Sequence, residues 1–213
     1  MGKKGIIFDM DGTLWDSAEG VAESWNIVIA EKYSPDKKIT GQDLQRVMGL
    51  TMDRLAEVLF PELPEESRMS LLEDCCAAEN QYLREHGGTL YPHLEEVLQI
   101  LGAKYPLYIV SNCQAGYIEA FLGYYHFESY FQDIECYGNN NKKKADNIRF
   151  LRDRNHLEES VYVGDIQGDY DASCEAGVRF IHAAYGFGSI DAKVPAIRGL
   201  EELPGMVDRV FAS

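Results

Sequence analysis

The stretch Phe8-Asp9-Met10-Asp11-Gly12-Thr13-Leu14 follows the apolar run Gly5-Ile6-Ile7-Phe8. A short unbroken run of this kind reads as a strand buried on both faces of a parallel sheet. It stops at two carboxylates spaced i, i+2, and side chains at that spacing leave a strand on the same face. Asp9 and Asp11 are therefore candidates to point into one pocket, with Gly12 letting the backbone turn sharply and approach a ligand. The competing reading is a polar turn closing a strand, since Asp and Gly are common turn formers. Three later stretches weigh against it. Ser111-Asn112 follows the run Pro106-Leu107-Tyr108-Ile109-Val110, Lys142-Lys143-Lys144 opens a helix-like segment, and Gly164-Asp165-Ile166-Gln167-Gly168-Asp169 follows Val161-Tyr162-Val163.

Outward from these motifs the chain alternates. Helical periodicity covers residues 16–32, with Val21, Trp25, Val28 and Ile29 on one stripe and Asp16 or Ser17 as N-cap. Short helices are expected near 42–48 and 52–60, and a longer one at 65–85 that Gly87-Gly88 ends. From Tyr91 onward strands (107–110, 131–136, 161–163, 179–183) alternate with helices (94–101, 115–123, 143–153, 169–176, 200–211). This predicts a doubly wound, Rossmann-like α/β core of residues 1–15 and 88–213, interrupted by a helical unit at 16–87. Ligands of such sheets gather at the carboxyl ends of the strands. Asp9, Ser111 and Asp165 all fall at strand ends.

With 213 residues the chain has room for one sizeable core and a smaller insert. Its 20 basic and 35 acidic residues give a net charge of −15, which argues against nucleic acid or an anionic membrane as partner. No apolar run approaches the roughly 20 residues that span a bilayer. Residues 1–4 show no signal-peptide pattern, so a cytoplasmic location is expected. The five cysteines, Cys75, Cys76, Cys113, Cys136 and Cys174, are odd in number and nowhere spaced Cys-x-x-Cys. Reduced, packed thiols fit better than disulfides or zinc.

Asp9-x-Asp11-Gly12-Thr13-Leu14, Ser111-Asn112, the lysine cluster and Gly164-Asp165-x-x-Gly168-Asp169 resemble, in order, the four motifs of the haloacid dehalogenase-like hydrolase superfamily, in its phosphatase branch. The resemblance spans the chain. It implies that 16–87 is a helical cap over the site, and that the chain is a magnesium-dependent phosphatase for a small phosphorylated metabolite. Asp9 would be the nucleophile that forms an aspartyl-phosphate, and Asp11 the general acid and then base. Gly12, Thr13, Ser111, the Asn112 amide and a lysine would hold the phosphoryl group. Lys144, which immediately precedes the helix, matches the motif best among the three lysines. Magnesium would take Asp9 and Asp165 carboxylates and the Asp11 carbonyl, with Asp169 holding a metal-bound water. Gly186-Phe187-Gly188 resembles a loop of phosphoglycolate phosphatase-like members, and His93 stands where relatives carry glycine.

Two alternatives accompany this reading. One is a β-phosphoglucomutase-like phosphomutase, although residues 17–25 lack the histidine that mutases carry there. The other is a catalytically silent phospho-ligand binding protein on the same fold, against which the intact acidic and basic set argues. A monomer or weak homodimer is expected.

Overall fold

The apolar run before the Asp9–Asp11 pair becomes the central strand of a six-stranded sheet. A computed structural model describes residues 2–213. Strand β1 (Lys4–Phe8) leads to a two-residue strand, β2 (Trp15–Asp16), and then to helices α1 (Ala18–Lys32), α2 (Gly41–Gln45), α3 (Met52–Leu59) and α4 (Glu65–His86). Strand β3 (Thr89–Leu90) returns antiparallel to β2, pairing Trp15 with Leu90. There follow α5 (Leu94–Gly102), β4 (Leu107–Ser111), α6 (Tyr117–Tyr125), β5 (Phe131–Cys136) and a single turn, α7 (Tyr137–Asn140). The chain closes with α8 (Lys144–Arg154), β6 (Glu159–Gly164), α9 (Gln167–Glu175), β7 (Arg179–Ala183), β8 (Ala196–Ile197) and α10 (Leu203–Ala212).

The sheet order is β5-β4-β1-β6-β7-β8, and every pairing in it is parallel. The strand order reverses beside β1, where β4 lies on one side and β6 on the other. A crevice opens at that switch point, outside the carboxyl ends of the strands. Ile6, Ile7, Phe8 and the whole of Leu107–Ser111 are buried, as strands covered on both faces require.

Spacing explains the inserted helices. Val21, Ala22, Trp25 and Ile29 bury one face of α1, while Leu71, Leu72, Cys75, Glu79 and Leu83 bury one face of α4. Fully burying each large apolar side chain contributes about 1.5–3 kcal/mol, which is why two such stripes pack together. Gly87 ends α4 with φ +68°, a left-handed conformation that costs glycine nothing. His93 adopts φ +66° before α5, a left-handed conformation that glycine takes at least cost.

The structure adds elements that periodicity does not reveal. β2, β3 and β8 have two residues each, too few to show alternation, so β7 is not the last strand. The closing helix begins as a 3-10 turn at Leu200–Glu202. Of the two expected N-caps, Ser17 occupies the N-cap position without a side-chain capping bond, and Asp16 Oδ1 accepts from the Ala18 amide instead.

Candidate active site

Five separated segments meet at the switch point. Asp9 lies just past β1, and its amide donates to the Val163 carbonyl of β6 (2.9 Å). Its carboxylate is buried and accepts from Lys144 Nζ at 2.8 Å. The same ammonium donates to Asp169 Oδ1 at 2.6 Å. Among the three candidate lysines, Lys144 is the one brought in. Lys142 lies over the exposed Phe150 ring, 4.9 Å from its centre, and Lys143 is exposed. Burial opposes the Lys144 charge, yet Asp169 and Asp9 together hold its pKa well above the ordinary value.

Asp165 follows β6 and is buried against Gly12. Its Oδ2 accepts from the Phe187 amide at 2.7 Å, and its Oδ1 has no partner. A side chain at Gly12 (φ +78°) would collide with this carboxylate, and one at Gly186 would strike the Gly12 carbonyl. The Gly186-Phe187-Gly188 loop therefore closes this side of the site, a contact its composition alone did not disclose. Asp169 is saturated: Oδ1 holds Lys144, and Oδ2 accepts from the Asp165 and Ile166 amides at 3.1 and 3.2 Å.

One carboxylate oxygen from each of Asp9, Asp165 and Asp169 lies within 4.8 Å of the others. A single lysine cannot balance three buried carboxylates. Burial, followed by repulsion from Asp169, pushes Asp9 up to about 7 against the pull of Lys144. Burial, with Asp169 and Asp9 beside it, pushes Asp165 up to about 8. An orphaned buried oxygen and hard oxygen donors carrying surplus negative charge suit a small divalent cation. The residues present fit such an ion, with Asp9 and Asp165 free to ligate and Asp169 already committed to hydrogen bonds.

Asp11 sits in different surroundings. Its Oδ1 accepts from the Tyr117 hydroxyl at 2.6 Å and from the Ser17 hydroxyl at 2.9 Å, and those two hydroxyls lie 2.7 Å apart. Burial raises the Asp11 pKa to about 6, while the Tyr117 and Ser17 bonds hold it back. Two carboxylates two residues apart thus differ in partner, one facing a cation and the other facing hydroxyls. Sequence reasoning missed Tyr117 and Ser17. Ser17 looked like a helix cap, and Tyr117 is one of 13 tyrosines with no motif around it. Tyr162 was missed too; its hydroxyl donates to the Val110 carbonyl (2.7 Å) and lies 3.4 Å from Asp9 Oδ1.

Asp11 and Ser111 form the core side of a narrow, half-open cleft with a cavity volume of about 40 Å³. Its opposite wall comes from the inserted helices and from Gly49 and Leu50 in the loop before α3. The Asn112 side-chain amide donates to the Gly49 carbonyl at 2.8 Å, and Asn80 donates to the Ala115 carbonyl at 2.9 Å, so helices and core are in contact across the cleft. Thr13, expected at the phosphate, is fully buried, and its hydroxyl makes no hydrogen bond. Cys113 and Cys136 are packed thiols, and burial raises the Cys113 pKa well above its ordinary value, which leaves it a poor nucleophile.

The profile of the family described as haloacid dehalogenase-like hydrolase matches residues 6–183. The chain belongs to the haloacid dehalogenase-like hydrolases. It is similar to the phosphoglycolate phosphatase of Escherichia coli, 25% identical over 224 residues that cover 91% of this chain and 87% of that protein. The phosphoglycolate phosphatase of Salmonella typhimurium is likewise 25% identical, over 211 residues covering 86% and 82%. Among solved structures, a Haemophilus somnus protein described as a predicted phosphoglycolate phosphatase superposes with a TM-score of 0.82 at 20% identity, covering 96% of this chain and 98% of that one. A haloacid dehalogenase-like family hydrolase from Streptococcus pneumoniae gives 0.79 at 21% identity, with 95% and 98% covered. At these identities the structures speak to the fold, a haloacid dehalogenase-like α/β core. Among the described residues no helix is long and apolar enough to cross a membrane.

Proposed function

We propose that this haloacid dehalogenase-like hydrolase is a magnesium-dependent phosphatase that cleaves a small phosphorylated metabolite through an aspartyl-phosphate. The observation that carries the reading is the unlike environment of Asp9 and Asp11. A nucleophile has to be ionised, and Asp9 has Lys144 beside it and a cation-fitting carboxylate group around it. A general acid works best with a pKa near the operating pH, and Asp11 is held at about 6 by burial and two hydroxyls.

In this mechanism a bound magnesium would neutralise the phosphoryl oxygens and keep Asp9 and Asp165 ionised. Asp9 Oδ attacks phosphorus in line with the leaving alkoxide, which takes the proton of Asp11 as the P–O bond breaks. Asp11, now a carboxylate, removes a proton from water as that water attacks the phospho-Asp9, and free phosphate departs. Ser111 and Lys144 hold phosphoryl oxygens throughout, Lys144 as a fixed positive charge that Asp169 orients. The Tyr117 and Ser17 hydroxyls fix the Asp11 carboxyl so that it faces the leaving group.

Residues 16–87 act in this proposal as a cap that opens about the β2–β3 ribbon and recloses over the substrate. Trp15 of that ribbon packs edge-to-face with Phe121 (5.0 Å between ring centres) and with Tyr117, which anchors the hinge to the core. 2-Phosphoglycolate, the compound in the names of the relatives, is the first ester to assay. The test is rapid quench and mass spectrometry of the magnesium-loaded protein with a reactive phosphate ester. Phosphate on Asp9 is the expected result; phosphate on Asp11, or turnover with no phosphoprotein in any time window, overturns the mechanism.

A further inference from the structure

The cleft holds a carboxyl group that the proposed mechanism does not use. Glu79 projects from α4 into its lining and is only 4% exposed. Its Oε2 accepts from the Trp25 indole N–H at 2.7 Å, which ties α4 to α1. That bond alone would make Glu79 a structural tie. Yet no lysine, arginine or histidine is among the residues lining the cleft, so the carboxyl has no cation there. Burial raises its pKa to about 8 even though Trp25 and Gln114 hydrogen-bond to it, which is how a buried carboxyl without a counter-charge behaves.

A second group points the same way. Asn112 donates its amide to the Gly49 carbonyl, which fixes its orientation and leaves Oδ1 buried without any partner. The other side-chain donors of the lining are committed: Trp25 to Glu79, Tyr117 to Asp11, and Gln114 to Asn80 Oδ1 at 3.1 Å. Among the described lining side chains the Ser111 hydroxyl and the weakly donating, buried Cys113 thiol remain, and in this reading the phosphoryl group claims the hydroxyl. The cleft therefore offers acceptors, and a carboxyl that an entering ammonium would ionise, to the far end of a ligand, on a wall otherwise built from apolar side chains such as Val21, Leu44, Met48 and Leu55. A ligand entering it must bring its own donors, because buried acceptors left unpaired are costly.

Resting on the phosphatase reading, we infer that Glu79 and Asn112 read the leaving group, and that the substrate is a phosphomonoester whose alcohol ends in an ammonium or hydroxyl donor rather than a carboxylate. An ammonium meets Glu79 as an ion pair, and a hydroxyl meets it as a hydrogen bond. A carboxylate finds no cation among the lining side chains, meets the Asn112 acceptor unpaired, and holds Glu79 in its protonated form. This sets the chain apart from the relatives named for phosphoglycolate, despite the shared fold.

The experiment measures kcat/KM, with magnesium, for matched phosphate esters of two and three carbons ending in ammonium, hydroxyl or carboxylate. The first set is 2-aminoethyl phosphate, 2-hydroxyethyl phosphate and 2-phosphoglycolate. p-Nitrophenyl phosphate reports on the phosphatase reading itself. The expected result is a preference of at least about tenfold for a donor-ended ester over its carboxylate match, with ammonium or hydroxyl ahead according to which donor the site takes. In Glu79→Gln the ratio between ammonium and carboxylate esters should fall at least about tenfold, mostly through KM. Taking the ratio within one protein cancels any general loss of activity. A wild-type preference for the carboxylate esters overturns the inference, as does a ratio that Glu79→Gln leaves unchanged. No hydrolysis of any ester, p-nitrophenyl phosphate included, overturns the phosphatase reading and this one with it.

Discussion

Replacing Glu79 by glutamine should change how the stability of this protein depends on pH. Glutamine keeps the volume and an oxygen for the Trp25 indole but cannot ionise. In the folded chain the Glu79 carboxyl titrates at about 8, raised by burial, against 4.5 for an ordinary glutamate. A carboxyl whose folded pKa is raised binds its proton more tightly when folded. Its favourable contribution is complete below about pH 4.5 and is lost as pH rises through about 8. At about 1.36 kcal/mol per tenfold change in proton affinity, the whole effect is bounded near 5 kcal/mol, of which about 3 kcal/mol falls between pH 5 and pH 8. Asp11, the Tyr117 hydroxyl and the Cys75 and Cys76 thiols feel the Glu79 charge and are present in both proteins. Asp9 and Asp165 also titrate in both, so subtraction removes their own contributions. The assay is urea unfolding of both proteins at pH 5, 6, 7 and 8 in one chelating buffer. Glu79→Gln should gain on the wild type steadily with pH, by a few kcal/mol across the range. A difference that stays flat from pH 5 to pH 8 would show that Glu79 is not a strained buried carboxyl.

Four further outcomes can be checked. Asp9→Asn should abolish turnover and all covalent phosphorylation, whereas Asp11→Asn should slow hydrolysis by about 10²–10⁴-fold and spare first-step chemistry with a good leaving group such as p-nitrophenolate, as burst kinetics would reveal. Exhaustive chelation, verified by elemental analysis, should remove activity that magnesium restores, and Asp165→Asn should raise the magnesium concentration needed for half-maximal rate. Tyr117→Phe removes a 2.6 Å bond to the Asp11 carboxylate, so the Asp11 pKa should rise and the corresponding limb of the pH–rate profile should move up by about one pH unit; an unmoved limb would detach Tyr117 from the acid. Changing Leu50 or Met52, which line the cleft from the helical insert, should alter the ranking of natural phosphate esters more than the rate with p-nitrophenyl phosphate, and equal losses for all would argue that the insert is purely structural.

Local chemistry in the chain determined the backbone of this molecule. Apolar runs that stop at Asp9, Ser111 and Asp165 made parallel strands, and their carboxyl ends had to share one edge of the sheet. Motif order and helical spacing likewise anticipated the inserted helices and the family. The motif resemblance singled out Lys144 among three adjacent lysines, and the tertiary structure supplied what residue type could not, its burial between Asp9 and Asp169. Tertiary structure alone diverted Ser17 from capping α1 to holding Asp11, and brought Tyr117 there across 106 positions of sequence. Glu79 was equally hidden, since a glutamate on an amphipathic helix looks solvent-facing until the packing of α1 on α4 buries it. Strand ends are set by short-range patterns, whereas the partners of a buried polar group are set by which distant surfaces close over it.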